Sequence, residues 1–141
     1  MITEDYVSYE SAKLLKEKGF EYNPDESYWL IDADNKMYWI SRIGAYDYVD
    51  TPTESFQRPK NGYRLITQAM AMKWLREIYK LEVRSTYDYD KDLWWGYINP
   101  MYEETDENSD IYQKALRFDY PGKSYEEAAE AAIKYCLENL I

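Results

Sequence analysis

Between Thr67 and Ile141 the spacing of apolar residues changes from the 3.6-residue period of a helix to the two-residue period of a strand, and back again. In "ITQAMAMKWLREIYK" Met70, Ala71, Trp74, Leu75 and Ile78 share one helical face, with Lys73, Arg76, Glu77 and Lys80 opposite and Thr67 placed to cap the start. In "LEVRSTYDY" the period drops to two, with Leu81, Val83, Tyr87 and Tyr89 on one side and Glu82, Arg84, Thr86 and Asp88 on the other. "LWWGYINPMY" reads as a second strand ended by Pro100, and "IYQKALRFDY" as a third, with Tyr112, Leu116, Phe118 and Tyr120 on one side. The closing "SYEEAAEAAIKYCLENL" returns to helical spacing from Ser124 to Leu140, gathering Ala128, Ala129, Ala132, Ile133, Cys136 and Leu140. A chain that alternates in this way folds as α+β: an antiparallel sheet with helices packed on one face, here in the order α-β-β-β-α.

The N-terminal part adds a helix and a hairpin. Thr3 to Lys18 reads as a helix with Val7, Ser11, Leu14 and Leu15 on one face and Gly19 past its end. Two β-prone runs, Tyr28–Ile31 and Met37–Ser41, flank the turn residues "DADN". From Arg42 to Leu65, Pro52, Pro59 and Gly62 break up the pattern and no period emerges. The expected organisation is one domain over 1–141, with residues 1–42, an irregular connection at 43–65 and residues 66–141 as subdivisions. The N-terminal helix and hairpin either cover or extend the C-terminal sheet.

Composition narrows the chemistry. The sequence has no histidine, so Ser-His-Asp and Cys-His catalysis and imidazole metal ligation are excluded. A single cysteine, Cys136, leaves no internal disulfide and no cysteine-cluster zinc site. It lies on the apolar face of the last helix, where a structural thiol is expected rather than a nucleophile. The acidic N-terminus lacks the features of a signal peptide, and no apolar run is long enough to span a membrane, so a cytoplasmic protein is expected. No cofactor is expected.

Against 17 Lys and Arg stand 27 Asp and Glu, a net charge of −10 that opposes phosphate backbones and anionic membranes. Eight of the acids fall between Asp88 and Asp110 (Asp88, Asp90, Asp92, Glu103, Glu104, Asp106, Glu107 and Asp110), against Lys91 alone. Asp88, Asp90 and Asp92 have the spacing of a calcium loop, but its glycine and closing glutamate positions hold Leu93 and Asn99, and strands replace the flanking helices. The polar-turn reading is preferred, and no metal site is assigned. Glu103/Glu104, Asp106/Glu107 and Glu126/Glu127 are carboxylate pairs, yet acid–base catalysis needs two carboxylates converging on a pocket.

Trp94 and Trp95 are adjacent and must point to opposite faces of the sheet. One of them therefore lies off the helix-packed face, beside Ile98 if it is Trp94, or beside Leu93 and Tyr97 if it is Trp95. An exposed patch of that kind marks a binding surface unless the N-terminal elements cover it.

The last 75 residues resemble the double-stranded-RNA-binding domain in element order, and Gly122, Lys123, Ser124, Ala128, Ala131, Ala132, Leu137 and Leu140 resemble its last helix. The phosphate-clamping lysines of that family fall on Tyr125, Glu126 and Ala129, so the resemblance implies the shape without the RNA contacts. Over more of the chain, "VSYESAKLLKEKGF", "TQAMAMKWLREIYKLEV" and "SYEEAAEAAIKYCLENLI" resemble a set of small uncharacterised proteins of Bacteroides-type gut bacteria and their phages. That resemblance implies a phage or mobile-element origin and supplies no mechanism.

The expected function is a non-enzymatic, cytoplasmic protein-interaction module. Its partner-binding residues are Asp88, Asp90, Asp92, Trp94, Trp95, Glu103, Glu104, Asp106 and Glu107. The partner is a protein, basic if charge governs the contact, and a homo-oligomer is left open. Two alternatives stand beside it: a carboxylate-dependent enzyme or sugar-binding protein, and a nucleic-acid binder, which the net charge opposes.

Overall fold

In the computed structural model, which describes residues 5–23, 26–43, 46–49 and 61–141, helices and two antiparallel sheets form an α+β architecture. The backbone divides into two compact units. Val7–Ile66 is one; the other joins Asp5 and Tyr6 to Thr67–Ile141.

In the Val7–Ile66 unit, helix α1 (Tyr9–Glu17) begins where the Ser8 hydroxyl accepts the Ser11 N–H. Residues 5–8, expected as the first turn of this helix, are not helical, because Ser8 caps it later; the expected cap Thr3 lies outside the described residues. Gly19 ends the helix at φ +92°, a conformation that costs glycine little, and the Phe20 N–H then reaches the Leu15 carbonyl. Strands β1 (Tyr28–Ile31) and β2 (Met37–Ile43) form the expected hairpin. Asp32 closes its turn: one carboxylate oxygen accepts the N–H groups of Asp34 and Lys36, and Asn35 takes the left-handed conformation. Strands β3 (Tyr46–Val49) and β4 (Tyr63–Arg64) complete a sheet of order β3-β2-β1-β4, so part of the stretch without period is strand; residues 44–45 and 50–60 of it lie outside the described residues. The hairpin thus belongs to a sheet of its own and does not extend the C-terminal one. Tyr28, Leu30 and Ile40 form a core cluster on this sheet.

In the other unit, helix α2 (Gln68–Tyr79) is capped by the Thr67 hydroxyl on the Met70 N–H, as expected, and ends on Lys80 in the left-handed conformation. Strands β5 (Leu81–Asp88) and β6 (Leu93–Pro100) pair along their whole length, with Leu81 opposite Pro100 and Asp88 opposite Leu93. Strand β7 (Asp119–Gly122) joins the far side of β6. Helix α4 (Tyr125–Tyr135) runs on into a π-helical turn, Cys136–Leu140. Its Ala128, Ala129, Ala132, Ile133, Cys136, Leu137 and Leu140 are buried, as are Leu81, Val83 and Ile98 on the facing side of the sheet.

Two expectations change here. Residues 111–117, read as strand, are helical: helix α3 (Ser109–Arg117) is inserted between β6 and β7, so the succession α2-β5-β6-β7-α4 stands with one extra helix. Its signals are local. Asp110 and Lys114 form an i,i+4 ion pair at 3.0 Å, and Ala115 is the residue it buries. On α2, Ala71 and Leu75 are buried, but Met70 and Ile78 are 51% and 61% exposed and do not belong to the core.

Candidate functional site

Strand alternation assigns the two tryptophans. Gly96 faces α4: a Cβ added there would come within 2.5 Å of the Ala128 carbonyl oxygen. Trp94 and Ile98 share that side, and Trp94 packs against Tyr87 and the Tyr125 ring at the start of α4. Trp95 therefore stands on the open face of the sheet, with Leu93 and Tyr97 beside it on β6 and Glu82, Arg84, Thr86 and Asp88 on β5.

This open face is an ordered array. The Trp95 indole donates to Asp88 Oδ2 at 3.0 Å, and Lys91 Nζ lies 5.6 Å from the Trp95 ring centroid. Glu82 accepts from Arg84 at 2.7 Å and from Asn99 at 3.4 Å. Tyr97 is 41% exposed. The arrangement offers one aromatic platform with hydrogen-bonding groups on either side.

The acids at the end of the hairpin are held by the protein itself. Asp88 Oδ1 accepts the N–H groups of Asp90 and Lys91. The Trp95 bond, followed by these amides, holds the Asp88 carboxyl below the usual carboxylate range. Asp92 takes a positive φ and accepts from the Tyr87 hydroxyl at 2.6 Å, which raises the Tyr87 phenol. Asp90 is exposed in the turn.

Glu103, Glu104, Asp106 and Glu107 lie beyond Pro100, at the opposite end of the β5–β6 pair, so the structure does not gather the acids into one patch. Glu104 there anchors α3. It accepts from Gln113 at 3.0 Å and Ser109 at 2.8 Å, and these bonds lower its pKa. Glu103, Asp106 and Glu107 are exposed. Among the described residues, no group of three or more acids and cysteines is arranged to hold a metal ion.

One convergence of carboxyls was not legible in the sequence. Asp5 and Glu126 line a hollow of about 220 Å³ with Thr67, Gln68, Met72 and Tyr125. Gln68 ties it together: its N–H donates to the Asp5 carbonyl and its side-chain amide to the Glu126 carbonyl, at 2.8 and 2.9 Å. Partial desolvation, then the neighbouring Glu126, raises the Asp5 pKa. The pairing joins residues 121 positions apart, which no local pattern reveals.

Among the described residues, no helix is long and apolar enough to cross a membrane. Comparisons with family models, with curated proteins and with solved structures gave no match.

Proposed function

We propose that the protein is a non-enzymatic interaction module of phage or mobile-element type, acting in the cytoplasm. A partner protein docks on the open face of the β5-β6-β7 sheet. The observation that carries this reading is Trp95: a large aromatic side chain set on the open face, held by Asp88 and neighboured by the exposed Tyr97. Aromatic anchors with fixed polar neighbours are what interface centres are built from. The Asp88–Asp92 turn at the edge of the same face favours a basic partner.

The test compares immobilised wild-type protein with Trp95→Ser and Tyr97→Ser in host lysate. A basic protein retained by the wild type and lost by both variants supports the module. Identical retention by all three rules this face out.

A second reading, a carboxylate-dependent enzyme acting on a sugar, draws on the Asp5/Glu126 pair, where one carboxyl has a raised pKa beside a second in a hollow. It predicts hydrolysis of nitrophenyl glycosides that Glu126→Gln abolishes. Absence of turnover, or turnover indifferent to that substitution, removes it. Nucleic-acid binding has less support, because Tyr125, Glu126 and Glu127 occupy the first turn of α4, where phosphates would have to approach. Failure to retain duplex RNA at low salt would dismiss it.

A further inference from the structure

On the helix-covered side of the β5-β6-β7 sheet, a groove of about 500 Å³ runs between β7 and the outer flank of α4. Its floor is aromatic. The Phe118 and Tyr135 rings lie 4.6 Å apart and only 30° from parallel, both half-buried. The Tyr120 ring forms one wall and is 37% exposed; its hydroxyl is 3.4 Å from Glu127 Oε1. The other side is charged, with three carboxylates, Glu127, Glu130 and Glu138, and one ammonium, Lys134.

Two features fix this arrangement. The Lys123 N–H donates to Glu127 Oε2 at 3.1 Å, which holds that carboxylate beside the N-terminus of α4. At the other end, the backbone widens into the π-helical turn that carries Glu138 and Asn139, and the Asn139 side chain donates to the Tyr135 carbonyl at 3.3 Å. Such turns are rare, and many of them re-aim side chains at binding sites. Lys134 Nζ lies 3.8 Å from Glu138 Oε1.

We propose that this groove seats an arginine side chain of a partner protein's exposed segment. A guanidinium is flat, stays charged at physiological pH and stacks on aromatic rings while its edges donate to carboxylates. An aromatic floor with an excess of acid along one wall meets both demands, and a lysine's compact ammonium meets only the second. The same chain already places a guanidinium over aromatic rings elsewhere: the Arg64 guanidinium carbon lies 4.3 Å from the Tyr28 ring centroid and 5.0 Å from that of Tyr22. The groove is separate from the open face that carries Trp95, so this site and the module reading stand or fall independently.

The test is an NMR titration of the ¹⁵N-labelled full chain with acetyl-Gly-Arg-Leu-Gly-amide, run beside the citrulline and lysine versions. The arginine peptide should give saturable shifts at Phe118, Glu130, Tyr135 and Glu138, and the citrulline peptide, which keeps the shape and lacks the charge, should bind at least fivefold more weakly. Glu130→Gln with Glu138→Gln should weaken arginine binding roughly fivefold to tenfold while the rest of the spectrum stays folded. Equal binding of arginine and citrulline peptides, shifts confined to the Asp88–Asp92 turn, or no saturable shift in the groove would each overturn the proposal. If the double variant is unfolded, the arginine–citrulline comparison on the wild type still decides.

Discussion

Cys136 is fully buried under α4, and burial pushes its thiol up to about 12. A thiol held so far above neutral pH and closed to solvent reacts only when the structure opens. Native protein should therefore resist a maleimide reagent for as long as it stays folded, with labelling that tracks global unfolding in urea. Fast stoichiometric labelling of the native chain would contradict the packing described for the last helix. Asp5 is the opposite kind of residue, exposed but with a raised pKa. Its folded pKa exceeds the unfolded value of 3.8, so the stabilisation belongs to the protonated form. That contribution is complete below the unfolded pKa and is lost as pH rises through the folded pKa. Asp5→Asn, which mimics the protonated carboxyl, should melt with the wild type near about pH 3 and above it near about pH 7. A variant less stable than wild type at neutral pH would show that the Asp5 charge is favourable in the fold.

At the scale of elements, the hairpin and the α4 face were legible because each rests on local chemistry: Asp32 and Asn35 in a turn, small residues at helical spacing on α4. Helix α3 was not. Tyr112, Leu116, Phe118 and Tyr120 happen to alternate, and that pattern outweighed the weaker cues, namely Asn108 taking the Thr105 N–H, Asp110 paired with Lys114, and a single buried alanine. Of the candidate site, the opposed directions of Trp94 and Trp95 followed from strand geometry alone. Which of them faces the helices did not, because that depends on Gly96 and Gly122. Both glycines meet Ala128 of α4 at distances that leave no room for a Cβ, 2.5 Å and 2.8 Å to its backbone atoms. Gly96→Ala should therefore cost about 1–3 kcal/mol, read as a lower urea midpoint, because the obstacle is backbone and cannot rotate away. An unchanged midpoint would mean that α4 sits farther from the sheet. Glu104→Ala belongs to the same scale. It removes the acceptor for Ser109 and Gln113, so amide exchange should quicken in α3 while β5 and β6 keep their protection.

At the scale of the molecule, the chain path matters more than either sheet. Asp5 and Tyr6 belong with Thr67–Ile141, so the Val7–Ile66 unit is an insertion into a second unit whose own sequence is discontinuous. Its two connections run side by side. Tyr6 bridges Thr67, the Gln68 N–H donates to the Asp5 carbonyl, and the Val7 N–H donates to the Ile66 carbonyl at 3.1 Å. Bridge partners in an antiparallel pair have Cα atoms roughly 4.5–5.5 Å apart, a gap that a short loop can close. Each unit contributes fully buried side chains, Leu75, Leu81, Ile133 and Leu137 from one and Leu15, Leu30 and Ile40 from the other. Joining Tyr6 to Thr67 through a short Gly-Asn-Gly linker and deleting 7–66 should leave a protein that unfolds cooperatively and keeps the tertiary shifts of Trp94, Gly96 and Ala128. Insertions whose ends meet in this way are tolerated because neither core depends on the intervening chain. Loss of cooperative unfolding, with Cys136 labelled at the rate of a free thiol, would show that the β5-β6-β7 sheet needs the inserted unit to hold α4 in place.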